Sequence, residues 1–134
     1  MPNEETIAFS KHRVERAKES IAAADVMIHA GYFLESIGRS YYAIFYLMRA
    51  VLAIEGVDFK KHSGVISHFQ KEYVKTGVFD IKFSDYVKEA FGKRQATDYR
   101  DFYIVSKSEA EEQLAHAKEM LEAVENHLRS IWEK

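Results

Sequence analysis

Apolar residues recur along most of the chain at alternating spacings of three and four positions, the pattern of a helix with one buried face. The pattern is regular from about Ser10 to Ile28 and again from Leu114 to Ile131, where Glu, Lys and His fill the other positions. The one proline stands at position 2, so no proline interrupts the pattern downstream. The sequence therefore predicts a chain built mainly from long helices.

Glycines mark the ends of the first two predicted helices. Gly31 predicts a break after the first, and Gly56 is placed to cap a second helix that runs from about Tyr32 to Ile54. Residues 57–62 are expected to form a loop, followed by a shorter third helix from about Ser63 to Lys75.

The second half of the chain adds two more helices, from about Ser84 to Tyr99 and from a capping box at 106–109 onward. A short strand is the competing interpretation for Val78 to Phe83, where apolar and polar residues alternate, although a lone strand has no partner. Four or five helices with short connections predict an all-α fold, an antiparallel up-and-down bundle in which residues 1–134 form one domain.

Composition narrows the class of protein. The net charge is -2, so nucleic-acid binding would have to come from a local basic patch. The absence of cysteine excludes a disulfide framework, a thiolate nucleophile and a sulfur-based zinc site. Apolar runs are far shorter than the roughly 20 residues of a membrane span, and the acidic N-terminus is unlike a signal peptide. We expect a cytoplasmic protein without membrane contact.

The second helix carries an unusual row of side chains. Arg39, Tyr42, Tyr46 and Arg49 follow spacings of three, four and three, which places them on one stripe away from the core side at Tyr41. Arginines interleaved with aromatic residues suit phosphate contacts and base stacking. Alternatively, the tyrosines pack against a neighbouring helix or a second subunit and the arginines pair with acidic residues.

The fourth helix ends its apolar stripe with a charged pair, Arg94 and Asp98. Such a pair is costly to bury unless it is matched or faces a cleft, so it is either a simple salt bridge one turn apart or part of a site. Tyr99 and Tyr103 follow, in a dense group of polar and aromatic residues. If one short segment forms a site, we expect it here.

A third candidate lies at the entry to the third helix, where Lys61, His62 and Ser63 precede Gly64. Lysines beside helix N-terminal amides form a plausible anion site, although Ser63 as a plain N-cap with solvated lysines explains the same residues.

Glu112 and His116 stand one turn apart on the last helix. This spacing is far more often a solvated ion pair than a pair of metal ligands, and we therefore expect no metal site and no cofactor.

Three motifs, in this order and inside an all-helical chain of this length, resemble the HEPN family of small helical proteins, named for nucleotide binding in higher eukaryotes and prokaryotes. They are Arg39-Ser-Tyr-Tyr-Ala-Ile-Phe, Lys61-His62-Ser63-Gly64-Val65 with Phe69 and Tyr73 downstream, and Arg94-Gln-Ala-Thr-Asp98-Tyr99. The resemblance implies a helical bundle that forms a homodimer. It also implies, as a frequent partner, a minimal nucleotidyltransferase that acts as antitoxin to a HEPN toxin.

Many members of that family are metal-independent ribonucleases that use an Arg followed four to six residues later by His. Arg94 matches the arginine, but the next histidine is His116, so the expected base is missing. Tyr99 titrates near 10 and is a poor base at neutral pH, and Asp98 is too weakly basic unless burial raises its pKa. The resemblance also makes Tyr99 and Tyr103 candidate acceptors of a nucleotidyl group.

Three hypotheses follow. The first is a HEPN protein that binds a nucleotide or RNA phosphate through Arg94, Asp98, Tyr99, Arg39, Tyr42 and the Lys61–Ser63 segment, paired with a nucleotidyltransferase in a toxin–antitoxin system. The second is an active metal-independent endoribonuclease toxin in which His62 supplies the missing base. The third is a purely structural helical subunit, in which replacing Arg94 would affect only stability.

Overall fold

The computed structural model describes residues 2–99 and 101–134, so Met1 and Arg100 lie outside it. The chain forms an all-α bundle, as predicted, and its five helices are α1 (Glu4–His29), α2 (Phe33–Ile54), α3 (His62–Phe69), α4 (Lys82–Tyr99) and α5 (Lys107–Trp132). A π-helical turn over Gln70–Val74 continues α3. None of the helices described is long and apolar enough to cross a membrane.

The strand interpretation for Val78 to Phe83 is wrong, since neither described range, 2–99 or 101–134, contains a strand. Phe79 and Phe83 are both buried, and the carboxylate of Asp80 accepts a hydrogen bond of 2.9 Å from the backbone N–H of Lys82. This local bond starts α4, because a side-chain acceptor of this kind favours a helix start over a strand.

Two glycines fix the turns at the ends of α1 and α2. Gly31 and Gly56 have φ values of 85° and 72°, which favour glycine, and both confirm the predicted helix ends. The start of α1 lies earlier than Ser10, where the apolar stripe begins, because Asn3 and Thr6 form a capping box. Helix capping at Asn3, rather than the hydrophobic pattern, sets this boundary.

α2 is the central helix and packs on each of the other four. Its core side chains include Tyr41, Ile44, Phe45, Met48, Val51 and Leu52, the side predicted to be buried. Buried Ser10 on α1 connects three helices: its hydroxyl donates to the carbonyl of Ala50 at 2.8 Å and accepts from the indole N–H of Trp132 at 3.0 Å. Tyr41 and Phe45 also meet α3 and α4, through His62 and Phe91, and the candidate site lies where these helices meet α2.

Candidate functional site

The side chain of Arg94 reaches from α4 onto the surface of α2. Its guanidinium carbon lies 5.3 Å from the ring centroid of Tyr42, and a Cβ built on Gly38 would lie 3.0 Å from its Nη1. Its Nε is 3.5 Å from a carboxylate oxygen of Asp98. Gly38 and Tyr42 are one helical turn apart, so together they form a shallow bed for the planar guanidinium.

The predicted Arg94–Asp98 salt bridge is therefore present, and it is part of a larger cluster. The two side chains are 32% and 46% exposed, which leaves the pair at the protein surface and open to a ligand. Because Asp98 faces Nε, the guanidinium is held by its neighbours in one orientation. A planar guanidinium held in this way suits bidentate contacts to phosphate oxygens.

His62, the first residue of α3, lies in an aromatic pocket on the same side of α2. Its ring centroid is 4.0 Å from that of Phe45 and 6.2 Å from that of Tyr42. Its Nδ1 is 2.8 Å from the hydroxyl of Tyr41. Tyr42 thus contacts both His62 and Arg94, so α2 brings together residues from α3 and α4 that are far apart in the sequence.

The surroundings of His62 and Tyr41 favour the neutral form of each side chain. Partial burial lowers the pKa of His62, and the positive charges of Arg49 and Arg94 lower it further. Burial, with a smaller effect of Tyr42, raises the pKa of Tyr41 to about 12. At pH 7 the pair is therefore an uncharged imidazole hydrogen-bonded to an intact phenol.

The orientation of this hydrogen bond decides what His62 can do. If the phenol donates to Nδ1, the neutral imidazole carries its proton on Nε2 and is a hydrogen-bond donor toward a ligand. If Nδ1–H donates to the phenol oxygen, Nε2 is free to accept a proton as a general base. The first arrangement fits binding of an anion, and the second fits catalysis.

Arg49 extends the cluster toward the C-terminal end of α2. Its Nε donates to a carboxylate oxygen of Asp58 at 3.2 Å, its Nη2 bonds the other oxygen, and its guanidinium lies 5.7 Å from the ring of Phe45. Burial acts to raise the pKa of Asp58, but the hydrogen bonds from Arg49 and the Phe59 backbone lower it overall. Arg49 is therefore paired with an acidic residue, one of the two alternatives predicted for it.

A surface cavity of about 320 Å³ lies beside this ion pair and reaches His62. It is lined by Phe45, Arg49, Asp58, Phe59, Lys60 and His62. The cavity has room for a phosphate or a small part of a nucleotide, with cationic and aromatic groups in its wall.

The other predicted site residues are exposed. Arg39 is exposed on α2, and Lys61 and Ser63 are exposed at the start of α3. Lys61 is the N-cap of α3 and makes no side-chain capping bond, so the alternative that Ser63 is the cap is wrong. Tyr99 is 83% exposed at the end of α4.

The remaining aromatic groups of the predicted stripes are accounted for by packing. Tyr46 accepts a long hydrogen bond of 3.4 Å from Arg16 on α1, which confirms contact with a neighbouring helix. Tyr103 is half-buried against the core. Neither side chain makes a hydrogen bond or a ring contact with Arg94 or His62 in the part of the chain that the structure describes.

Sequence reasoning missed Tyr41 and Gly38 as parts of the site. Tyr41 was assigned only to the core, although a buried tyrosine hydroxyl needs a polar partner and His62 is that partner. Gly38 lies inside a helix, where glycine costs about 1 kcal/mol relative to alanine, and such a position signals a close approach by another group. No pattern in the sequence indicates Asp58 as the partner of Arg49, because this pairing depends on the path of the loop between α2 and α3.

A family model described as "HEPN domain" matches residues 10–127 of the chain. A protein of Methanocaldococcus jannaschii that bears the name "putative toxin" is 35% identical over 98 residues, which cover 73% of this chain and 67% of the relative. A "UPF0332 protein" of Thermotoga maritima is 28% identical over 87% of this chain and 88% of its own length. A second "putative toxin" of M. jannaschii is 26% identical over 88% and 87%, respectively.

Proposed function

The chain belongs to the HEPN family, and from this membership we propose that it is a HEPN protein of the toxin–antitoxin type that binds the phosphate of a nucleotide or RNA. The observation that carries the proposal is the bed of Gly38 and Tyr42, on which Arg94 lies beside Asp98 with His62 nearby. The toxin names of two relatives support the toxin–antitoxin class.

In this proposal Arg94 is the main phosphate-binding group. Asp98 engages Nε of Arg94, which leaves the terminal nitrogens for the ligand. His62 donates from Nε2 to a phosphate oxygen, and Lys61 and Ser63 add donors from the exposed start of α3. Arg39 and Tyr99 are exposed and follow Gly38 and Asp98 directly in the sequence, and they serve as outer contacts to the rest of the ligand.

Binding of a short single-stranded RNA and of ATP to the full chain tests this role. We expect Arg94→Ala to weaken binding at least tenfold, because a charge-assisted bidentate contact is lost. Arg129→Ala, an exposed arginine on α5, is the matched control and should bind like the parent. Equal binding by the two variants, both folded by circular dichroism, would contradict the proposal.

We also propose a homodimer that uses the connection between α4 and α5. Phe102 and Ile104 are 94% and 87% exposed there. Exposed apolar groups this close together indicate a contact surface. Light scattering during gel filtration should give the molar mass of a dimer for the parent chain. The double variant with Phe102→Ser and Ile104→Ser should give the molar mass of a monomer. The matched control is Ile81→Ser, also exposed but at the start of α4, and it should leave the dimer intact.

A nucleotidyltransferase antitoxin would act on a tyrosine, and exposure favours Tyr99 over Tyr103 as acceptor. The chain is incubated with ATP and the nucleotidyltransferase that a neighbouring gene would encode. Mass spectrometry should then show that one nucleotidyl group has been added to the chain. Tyr99→Phe should prevent the addition and Tyr103→Phe should not. The reverse result would identify Tyr103 as the acceptor. No addition to the parent chain would contradict the proposal that a nucleotidyltransferase modifies this protein.

An active endoribonuclease is the second candidate, favoured by the position of His62 against Tyr42, the ring that Arg94 also contacts. This activity requires the arrangement in which Nδ1–H donates to Tyr41 and Nε2 accepts the proton of a ribose 2′-hydroxyl. Cleavage of RNA in the presence of a chelator, lost in both Arg94→Ala and His62→Gln, would support it. RNA binding without cleavage would contradict the endoribonuclease and support the first candidate, a protein that binds phosphate.

A further inference from the structure

We propose that Glu89, Glu112 and His116 form a binding site for a divalent transition-metal ion between α4 and α5. Glu89 comes from α4, and the other two residues lie one turn apart on α5. One ligand atom from each of the three lies within 4.8 Å of the others. Sequence spacing alone gave only the Glu112–His116 pair, and the fold adds Glu89 as the third ligand.

The charge pattern along the α4–α5 seam distinguishes this cluster from its neighbours. On one side Lys82 bonds Glu119 at 2.8 Å, and on the other Lys93 bonds Glu109 at 3.1 Å. Between these two ion pairs lies the cluster, with two carboxylates and one imidazole. Each lysine bonds a carboxylate outside the cluster, and Lys93 also acts electrostatically on Glu89. A bound cation would add positive charge directly between the two carboxylates of the cluster.

The surrounding contacts orient the proposed ligands. The buried side chain of Gln113 donates a hydrogen bond of 2.8 Å to one carboxylate oxygen of Glu89, which leaves the other oxygen for a metal. The ring of His116 stacks on Tyr86 at 3.8 Å and 7° between planes. Metal ligands in proteins are typically oriented by outer hydrogen bonds, as Gln113 orients Glu89 here. The stacking on Tyr86 fixes the plane of the imidazole.

His116 also carries an observation that an ordinary surface ion pair does not explain. Its side chain is only 16% exposed, and its Nδ1 is buried with no hydrogen-bond partner among the described residues. Its Nε2 is 4.0 Å from Glu112, beyond hydrogen-bonding distance. Neither ring nitrogen of His116 therefore has a hydrogen bond from the described residues, although polar side chains surround the imidazole.

The donor set indicates the class of ion. Two carboxylates with one imidazole suit Zn²⁺ and similar transition metals, whereas Mg²⁺ and Ca²⁺ prefer oxygen ligands alone. Metal–ligand bonds of about 2.0–2.2 Å require the three ligand atoms to move closer together than they are now. Glu112 is 57% exposed and has room to make this movement.

Zn²⁺ titration of the chelator-treated full chain tests the site at pH 7. We expect one ion per chain by calorimetry and a rise in melting temperature on the order of 5 °C at saturating zinc. Glu89→Gln and Glu112→Gln should each weaken binding at least tenfold. Glu111→Gln is the matched control, because Glu111 is an exposed carboxylate next to Glu112 on α5, and it should bind like the parent.

Co²⁺ provides a second readout, since its visible spectrum reports the ligands directly. A spectrum that His116→Gln abolishes and Glu111→Gln preserves would support the assignment. Zinc affinity unchanged by both Glu89→Gln and Glu112→Gln, or no binding at 100-fold excess, would overturn it. These measurements contain no RNA or nucleotide, so their outcome is independent of the function proposed for Arg94.

Discussion

The Cβ atom that Gly38 lacks would lie 3.0 Å from Nη1 of Arg94. Glycine at this point of α2 is therefore what allows a guanidinium from α4 to lie flat on the helix and reach the ring of Tyr42. A methyl group at position 38 would lie closer to Nη1 than an ordinary van der Waals contact, so the guanidinium would have to shift by a few tenths of an ångström. The position of Arg94 depends on this close approach as much as on its salt bridge to Asp98.

Gly38→Ala should separate stability from ligand binding. Alanine gains up to about 1 kcal/mol of helix propensity over glycine, and displacement of Arg94 opposes that gain, so the net change in the free energy of unfolding should be small. RNA or ATP affinity should fall about tenfold because the guanidinium moves. Titration and urea unfolding of the same variant measure both effects.

Gly92→Ala is the control for this substitution. Gly92 also lies inside a helix, α4, but a Cβ there meets nothing within 4 Å. It should stabilise the chain by about 0.5–1 kcal/mol and leave binding unchanged. If Gly38→Ala behaved in the same way as Gly92→Ala, the Gly38 contact would have no role in binding.

The ring of Tyr42, rather than its hydroxyl, should support Arg94. Tyr42→Phe keeps the aromatic face 5.3 Å from the guanidinium carbon, whereas Tyr42→Leu removes it. We expect Phe to bind RNA or ATP like the parent and Leu to lose about two- to fivefold in affinity, the equivalent of a cation–π contact of about 0.5–1 kcal/mol. Loss of affinity in the Phe variant would instead assign the contact to the hydroxyl.

Stability should fall as the pH drops below the ordinary histidine value of 6.5. Burial lowers the pKa of His62 and of His127, so the unfolded chain takes up protons at a pH where the folded chain does not. The stabilisation is complete above 6.5 and is lost as the pH falls from there through the lowered pKa of each histidine. Urea unfolding between pH 8 and pH 5 measures this change.

Replacing one histidine identifies its share of the pH dependence. His127, whose ring lies 5.1 Å from that of Phe79, is remote from Arg94 in the sequence and belongs to α5. His127→Gln should flatten the loss between pH 7 and pH 5, whereas His12→Gln, at an exposed position on α1, should not. Identical slopes for the parent and His127→Gln would contradict a partly buried, neutral imidazole at that position.

Local patterns were sufficient to predict the five helices, because each shows an apolar stripe and glycines mark the ends of α1 and α2. The same periodicity placed Arg94 and Asp98 on one face of α4, and the salt bridge confirms that placement. Which helix that face meets depends on long-range packing. The contact of Arg94 with Tyr42 could therefore not be derived from spacing.

The partners of the histidines show the same limit. Tyr41 and His62 are separated by the α2–α3 loop, and Glu89 and His116 by the α4–α5 connection, so no spacing rule relates them. Once the helices pack, each histidine gains neighbours that alter its chemistry. The sequence identified the chemical groups, while tertiary packing determines which of them meet.

The hydroxyl of Ser10 should matter for stability and not for binding. It accepts the indole N–H of Trp132 at 3.0 Å and donates to the carbonyl of Ala50 at 2.8 Å, deep between α1, α2 and α5. Ser10→Ala leaves the indole N–H without this acceptor, and such a loss costs about 1–3 kcal/mol. Ser130→Ala removes an exposed hydroxyl from α5 and should change the free energy of unfolding by less than about 0.5 kcal/mol. Urea unfolding of both variants, with RNA or ATP titration in parallel, checks the difference; equal stabilities would show that the connection between the three helices carries no net stabilisation.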